Sequence, residues 1–246
     1  MSIEALARAL APLKSLVLIT GAGVSAESGI ATFRGSGGHW ERYRAEDLAS
    51  AAGFARDPEL VWRWYDARRR QIAQATPNPG HQAMAALESL FNPFLLITQN
   101  VDGLHQAAGS RQVIEIHGSI WRVRCQRSGA EWQNQQLYEH FPVSCRCGAL
   151  LRPAVLWFGE SYDSHLIQRA QGAVAGADAV LVAGTSGQVW IVAGLLAQAR
   201  SQALRAEFNL EATDTSATAD HLILGPTGHT LPKLLERIQA CRQETT

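Results

Sequence analysis

The stretch SLVLITGAGVSAESGIATFRG, residues 15–35, decides the fold of this chain. Its first six residues form a largely apolar run that is typical of a buried strand. Gly21, Gly23 and Ala26 then follow the pattern G-x-G-x-x-G/A, in which small residues let the backbone approach a pyrophosphate at the start of a helix. A tight strand-to-helix turn uses the same residues. The loop alone therefore leaves dinucleotide binding and a purely structural turn equally open.

Four further runs have the character of buried strands. They are FLLITQN (94–100), AVLVAGT (179–185), AEFNL (206–210) and HLILG (221–225). Their apolar residues are continuous rather than alternating, as in a parallel sheet that is covered on both faces. Helical stretches lie between the runs. The sequence therefore predicts an α/β fold with a doubly wound, Rossmann-like parallel sheet.

Two segments interrupt this alternation of strands and helices. Residues 37–90 are helical and rich in Arg and Trp, and residues 119–152 are polar and contain three cysteines. We expect them to form a smaller domain, made of a helical module and a zinc-ribbon-like module, over the ligand edge of the sheet. Residues 1–36, 91–118 and 153–246 would form the Rossmann-like domain.

Composition limits the function classes that the chain can belong to. Hydrophobic residues make up 46% of the 246 residues and charged residues 18%, which is typical of a globular protein. Lys+Arg and Asp+Glu both number 22, so no net charge favours nucleic acid or a membrane surface as a partner. The N-terminal residues lack the pattern of a signal peptide, and no apolar run approaches the roughly 18 residues of a membrane span. We expect a cytoplasmic protein, and favour a monomer.

Polar side chains cluster where two apolar runs end. Gln99, Asn100 and Asp102 follow one predicted strand, and His117 follows the apolar residues of VIEIHGS (113–119). Open α/β sheets bind ligands at the carboxyl ends of their strands. Asn, Asp and Gly are also ordinary turn residues. Four polar side chains at such strand ends favour a functional site over a turn.

Several motifs together resemble the sirtuins, the NAD-dependent protein lysine deacylases. GAGVSAESGIATFRG, TQNVDGLH, HGS before a cysteine, WFGE, GTSGQV and FNLE occur in the order seen in that family, over roughly residues 13–235. The resemblance implies that NAD is consumed as a co-substrate and that the Rossmann-like domain binds it. The acyl oxygen of an acyl-lysine would attack the nicotinamide ribose, giving nicotinamide, free lysine and O-acyl-ADP-ribose.

The resemblance also implies roles for individual residues. His117 would be the general base acting on a ribose hydroxyl, since the pKa of a histidine lies near the pH at which a base operates. Asn100 and Asp102 would take part in catalysis and, with Gln99, shape the nicotinamide and ribose pocket. Asn209 and Glu211 would hold the adenosine ribose. The other residues implied to contact NAD are Gly21, Ala22, Gly23, Phe33, Arg34, Gly184, Thr185 and Ser186.

Two further segments resemble the substrate-binding parts of sirtuins. Val155, Trp157, Phe158 and Gly159 match the segment that pairs with an extended acyl-lysine peptide through its backbone. A buried apolar strand is an alternative interpretation that is compatible with this role.

WRWYDARRR (62–70) contains Tyr65 and Arg68, which match the Tyr-x-x-Arg motif of the class III, bacterial-type desuccinylases and demalonylases. This spacing places both side chains on one helix face, where a guanidinium and a phenol suit a carboxylate. Ala49 matches the small residue that leaves the acyl pocket roomy. The expected substrates are succinyl-, malonyl- or glutaryl-lysine, with acetyl-lysine also accepted. Arg69 and Arg70 are expected on a solvated helix face.

The cysteines depart from the family pattern. Sirtuins typically hold a structural zinc ion with two cysteine pairs. Here Cys125, Cys145 and Cys147 are candidate ligands, but Ser128 stands where a fourth cysteine is expected. His140 or water as the fourth ligand, or no zinc at all, remain open.

Three alternative functions remain at this point. The first is a generalist deacetylase without a preference for acidic acyl groups. The second is an NAD(P)-dependent dehydrogenase, which would need an acidic residue about 20 residues after the glycine loop. The third is a binding protein without catalytic activity, such as an NAD sensor.

Overall fold

The computed structural model describes residues 2–33, 38 and 44–244. The strands, in chain order, are β1 (Leu16–Thr20), β2 (Phe94–Thr98), β3 (Val113–Glu115), β4 (Gly118–Cys125), β5 (Glu131–Gln133), β6 (Leu151–Val155), β7 (Ala179–Ala183), β8 (Leu204–Asn209) and β9 (His221–Leu224). The described helices are α1 (Ile3–Leu10), α2 (Gly23–Ala26), α3 (Ala45–Leu48), α4 (Ala51–Arg56), α5 (Pro58–Ala73), α6 (Pro79–Leu87), α7 (Leu104–Ala107), α8 (Ser164–Gly176), α9 (Trp190–Leu196) and α10 (Thr227–Glu244). A 3₁₀-helix spans Asp214–Thr218.

Six strands form one parallel sheet in the order β3-β2-β1-β7-β8-β9. Counted along this sheet alone, the strand order is 3-2-1-4-5-6, the doubly wound order of dinucleotide-binding folds. The order reverses between β1 and β7, so the carboxyl ends of these two strands open a crevice. The prediction of a doubly wound, Rossmann-like sheet is confirmed.

The first strand shows why its sequence is apolar without interruption. All five residues of β1 are buried. Leu16 and Leu18 pack with α1, α6 and α10, whereas Val17 and Ile19 pack on the opposite face with α8 and α9. Successive side chains of a strand point to opposite faces, so a strand covered by helices on both sides needs apolar residues at every position.

A second, antiparallel sheet has the order β5-β4-β6. It shares a separate apolar cluster with α4 and α5, in which Trp62, Tyr65, Ile120 and Trp157 are buried. The two segments that interrupt the strand and helix alternation therefore pack together. Strands β4 and β6 run across the expected boundaries at 118/119 and 152/153, and the division into two domains stays a prediction.

One expectation about the arginines of α5 is wrong. Arg69 is fully buried rather than solvated. It donates hydrogen bonds to Ile120 O (2.8 Å), Asn134 Oδ1 (2.9 Å) and Gln136 O (3.0 Å), and so joins α5 to β4 and to the segment that follows β5. These three acceptors offset the loss of hydration that burying a guanidinium entails. Arg70 is exposed, as expected.

Within the described part of the chain, no helix combines the length and the apolar character that are needed to cross a bilayer. The predicted cytoplasmic location stays a prediction.

Candidate active site

A cleft of about 960 Å³ lies at the carboxyl ends of the central strands. The glycine loop forms its floor. Gly21 N donates to Ala183 O (3.1 Å) and Gly23 N donates to Gly184 O (2.8 Å), so the loop after β1 packs backbone to backbone on the loop after β7. A Cβ at Gly23 would lie 2.8 Å from Gly184 O, and Gly184 has a φ of 59°. Only glycine permits this approach, which leaves room for phosphate oxygens above the amides.

Most residues that the resemblance assigned to NAD line this cleft. They are Gly21, Ala22, Gly23, Phe33, Gln99, Asn100, Gly184, Thr185, Ser186, Asn209 and Glu211. Arg34 lies outside the described residues. Asn209 Nδ2 donates to Thr185 O (2.7 Å), which joins the loops after β7 and β8 at the far end of the cleft.

Asp102 is not among the residues that line the cleft, although it was predicted in the site. Its carboxylate accepts from Ser25 Oγ (2.8 Å) and from Leu104 N (2.9 Å) at the start of α7. Ser25 Oγ in turn accepts from Asn100 Nδ2 (3.1 Å). The chain Asp102–Ser25–Asn100 therefore fixes the side-chain amide of Asn100 in the wall of the cleft.

Two buried histidines continue this network, and sequence reasoning missed both. His105 Nε2 lies 3.0 Å from Thr20 Oγ1, and the rings of His105 and His81 are 4.9 Å apart. Burial, with a smaller contribution from His81, lowers the pKa of His105 to about 3. Burial also lowers the pKa of His81. Both rings are therefore neutral at pH 7. The signal for His105 was available, since it ends the motif TQNVDGLH; His81 follows a Pro-Gly helix start that gives no functional indication.

His117 lies in the turn between β3 and β4 and faces the cleft. Its Nδ1 is 2.9 Å from Gln99 O, and a carbonyl can only accept, so Nδ1 carries the proton and Nε2 the lone pair. Burial lowers the pKa of His117, and the hydrogen bond to the Gln99 carbonyl offsets part of this effect. The side chain is therefore a neutral imidazole whose Nε2 is a base at physiological pH.

At the other end of the cleft, α5 places Tyr65 and Arg68 on one face. The Arg68 guanidinium carbon lies 4.8 Å from the ring centres of both Phe33 and Trp64, and 5.7 Å from that of Tyr65. Its side chain is 6% exposed. The Tyr65 hydroxyl accepts from Trp157 Nε1 (2.9 Å), which leaves the hydroxyl proton for another acceptor. Ala49 also lines this end, and its small side chain leaves the space open.

Arg68 differs from the other arginines of its helix. Arg63 pairs with Glu59 (2.6 Å), Arg70 pairs with Asp66 (2.8 Å), and Arg69 has three acceptors. Within residues 2–33, 38 and 44–244, no ion pair or hydrogen bond involves Arg68. Burial lowers the pKa of Arg68, with smaller opposing effects of Tyr65 and Asp102. A buried cation held among aromatic rings can bind an anion.

The predicted peptide-binding segment forms one wall of the cleft. Strand β6 ends at Val155, so the following residues are not part of it. Phe158 N donates to Ala49 O (2.9 Å), and an isolated parallel bridge joins Phe158 to Ser50. Trp157 is buried at 2% exposure, whereas Phe158 is 53% exposed. Val155, Trp157, Phe158 and Gly159 all line the cleft.

The three candidate metal ligands lie together, away from the cleft. The sulfur atoms of Cys125, Cys145 and Cys147 are all within 4.8 Å of one another, and the Cys125–Cys147 separation is 3.6 Å. Zn–S bonds of about 2.3 Å at tetrahedral angles place sulfurs roughly 3.8 Å apart, so the cluster fits zinc. His140 is exposed and does not join it. Hydrogen bonds from the Ser128 hydroxyl and from the backbone of Ser128 and Arg127 lower the pKa of Cys125 to about 6. Ser128 thus lies beside the Cys125 sulfur.

Comparison with known proteins agrees with this arrangement. The model of the Sir2 family matches residues 21–190. An "NAD-dependent protein deacylase 2" from Pyrobaculum aerophilum is 48% identical over 232 residues, which are 94% of this chain and 93% of that protein.

Two solved structures have the same architecture. A Sir2 homologue in complex with NAD superposes with a TM-score of 0.91 at 42% identity, covering 97% of this chain and 94% of that one. A Sir2 protein bound to a myristoylated histone peptide gives a TM-score of 0.78 at 31% identity, with 98% of each chain covered. With this fold, this cleft and these relatives, the chain belongs to the Sir2 family.

Proposed function

We propose that this protein removes acyl groups from lysine side chains of proteins and consumes NAD in doing so. The products are nicotinamide, free lysine and O-acyl-ADP-ribose. The proposal rests on His117, a neutral imidazole whose Nε2 is directed into the cleft above the glycine loop. A sensor that only binds NAD has no need of a base at this position. The relatives bear the name NAD-dependent protein deacylase, which supports the same activity.

The loops after the strands would hold NAD along the length of the cleft. The glycine loop lets the pyrophosphate approach its backbone at the start of α2, and Asn209 with Glu211 holds the adenosine ribose. Gln99 and Asn100 bind the nicotinamide end, where the Asp102–Ser25 pair keeps Asn100 in place. When bound, NAD supplies the ribose carbon to which the acyl oxygen attaches as nicotinamide leaves.

His117 acts on the ribose. Its Nε2 accepts the proton of a ribose hydroxyl, while Nδ1 remains hydrogen-bonded to Gln99 O and fixes the ring. The half-buried Phe33 covers the cleft near the reacting carbon and limits the access of water. Excluding water favours transfer of the acyl group over hydrolysis of NAD.

The substrate partner is an acyl-lysine peptide in extended conformation. Phe158 and Gly159 are exposed at the wall of the cleft, beside Ala49 and Ser50. Backbone pairing provides affinity with little sequence selectivity. A relative of this fold binds a myristoylated histone peptide, which supports a peptide substrate here.

We infer further that the acyl pocket prefers acyl groups that end in a carboxylate, such as succinyl, malonyl and glutaryl groups. This inference rests on Arg68, whose buried guanidinium has aromatic neighbours and no anionic partner among the described residues. The free hydroxyl proton of Tyr65 adds a second donor. A neutral acetyl group leaves both donors without an acceptor, so acetyl-lysine is the poorer substrate.

Zinc bound at the cysteine cluster would have a structural role. Cys125, Cys145 and Cys147 would hold it, and the ion would join the end of β4 to the turn before β6. No role in the reaction is assigned to it.

The deacylase proposal is tested with His117→Tyr. NAD affinity is measured by calorimetry, and turnover of an acyl-lysine peptide by mass spectrometry. We expect NAD binding to persist within about 10-fold while turnover is lost by about 100-fold or more. Undiminished turnover in the variant would show that His117 is not the base.

The acyl preference is tested with two peptides that differ only in carrying acetyl-lysine or succinyl-lysine. We expect a larger kcat/KM for the succinyl peptide. An equal or larger kcat/KM for the acetyl peptide would instead identify a generalist deacetylase, without affecting the proposal for His117.

A further inference from the structure

Tyr162, between β6 and α8, directly contacts the proposed base. Its hydroxyl oxygen lies 3.1 Å from His117 Nε2, and the two ring centres are 5.7 Å apart. Trp190 packs edge-on against Tyr162 at 5.5 Å and supports its ring from the other side. None of the roles assigned above involves this tyrosine, although it lines the cleft.

The direction of the hydrogen bond follows from the other side of the imidazole. Nδ1 of His117 donates to Gln99 O, so in the neutral ring Nε2 has only a lone pair. The Tyr162 hydroxyl must therefore donate to Nε2. Burial raises the pKa of Tyr162, so the phenol keeps its proton at physiological pH.

We propose that Tyr162 is a positioning residue that holds His117 neutral and oriented until a ribose hydroxyl of NAD replaces the phenol at Nε2. This inference rests on the proposed function, since it assigns a partner to the base of that reaction. The phenol and the ribose hydroxyl are alike in chemistry, each a hydroxyl that donates to the same lone pair. No proton passes through Tyr162: the ribose proton goes to Nε2, and the phenol keeps its own.

Tyr162 acts on the imidazole beside two other influences, which are burial and the hydrogen bond to Gln99 O. Glu160 is paired with Arg152, Asp102 accepts from Ser25, and His81 and His105 are kept neutral by burial. No charged side chain of the described residues shifts the pKa of His117. A hydrogen bond that Nε2 accepts favours the neutral ring, because protonation of Nε2 removes the lone pair and the phenol would have to turn and accept instead.

The experiment compares wild type, Tyr162→Phe and a matched control, Tyr138→Phe. Tyr138 also donates from its hydroxyl, to Asn134 Oδ1 (3.0 Å), but remote from His117. The His117 ring is titrated by NMR in the enzyme without NAD or peptide. In Tyr162→Phe we expect its midpoint to move upward by about 0.4 to 1 pH unit, the equivalent of one ordinary hydrogen bond. In Tyr138→Phe it stays at the wild-type value.

Kinetics then distinguish a positioning role from a merely structural one. The profile of kcat/KM for NAD against pH reports the free enzyme, and its acid limb should move upward by the same amount in Tyr162→Phe. The profile of kcat reports the enzyme with substrates bound, where the ribose hydroxyl has replaced the phenol, and should stay in place.

The outcomes separate the two proposals. An unchanged NMR midpoint in Tyr162→Phe overturns the inference whether or not the protein deacylates peptides. An equal movement of both kinetic profiles also overturns it, because the phenol would then still occupy Nε2 during turnover. A wild-type enzyme that does not turn over NAD with any acyl peptide overturns the proposed function, whatever the NMR titration shows.

Discussion

Replacing Arg68 by methionine is expected to remove the preference for acidic acyl groups while leaving the fold intact. Methionine fills a similar volume among Phe33, Trp64 and Tyr65 and lacks only the charge and the donors. Since the guanidinium is buried and unpaired within the described part of the chain, its removal should not lower the free energy of unfolding.

The magnitude follows from the environment of the guanidinium. A hydrogen bond to a charged group contributes about 1.5–3 kcal/mol, and water cannot compete well at a side chain that is 6% exposed. At about 1.4 kcal/mol per tenfold change, the carboxylate contributes roughly 10- to 100-fold in kcat/KM. We expect Arg68→Met to lose this factor with succinyl-lysine and to change kcat/KM for acetyl-lysine by less than about 3-fold.

The assay measures kcat/KM for both peptides in wild type, Arg68→Met and a control, Arg63→Met. Arg63 lies on the same helix, is exposed and pairs with Glu59. The control should keep the wild-type ratio of the two peptides. Equal losses for both peptides in Arg68→Met, or the same change of ratio in Arg63→Met, would refute the carboxylate receptor.

Three further predictions follow from other parts of the structure. Ser128→Cys supplies a fourth thiolate beside the cysteine cluster and should tighten zinc binding on the order of 100-fold, measured by competition with a coloured chelator; unchanged affinity would mean that the fourth ligand comes from elsewhere. Gly23→Ala places a Cβ 2.8 Å from Gly184 O, so it should weaken NAD binding and lower the free energy of unfolding by about 1–3 kcal/mol. The control Gly172→Ala has open space around the new Cβ and should lower neither the NAD affinity nor the free energy of unfolding. The pKa of His105 is about 3 in the folded protein and near 6.5 in the unfolded chain, so the unfolded chain binds an extra proton below pH 6.5. The free energy of unfolding should therefore fall as the pH drops below 6.5, by up to about 1.4 kcal/mol per pH unit. Urea titrations at pH 7, 6 and 5 should show this slope in wild type, and an equal slope in His105→Gln would contradict it.

The sheet and the floor of the cleft were predictable from sequence because local patterns specify them. An apolar run such as β1 can be stable only between two layers, and Gly21 and Gly23 follow it directly. Strand ends of a parallel sheet meet at one edge, which is why Gln99, Asn100 and His117 could be brought to one site without knowledge of the strand order.

The partners of single polar side chains were not predictable, because they come from distant parts of the chain. Arg69 looked like a solvated residue, but its acceptors lie 51 to 67 positions away. Asp102 follows the same strand as Asn100 yet accepts from Ser25, and Tyr162 meets His117 across 45 positions. No periodicity marks such pairings, since each depends on how distant segments of the chain pack together.

The central claim is that NAD consumption is coupled to acyl removal at this cleft. The most direct measurement is mass spectrometry of all products after incubation with NAD and a succinyl-lysine peptide, with absorbance recorded at the reduced-nicotinamide band. We expect nicotinamide, deacylated peptide and O-succinyl-ADP-ribose in equal amounts and no absorbance change. Deacylated peptide with free succinate and intact NAD, or a rise in reduced nicotinamide, would contradict the claim.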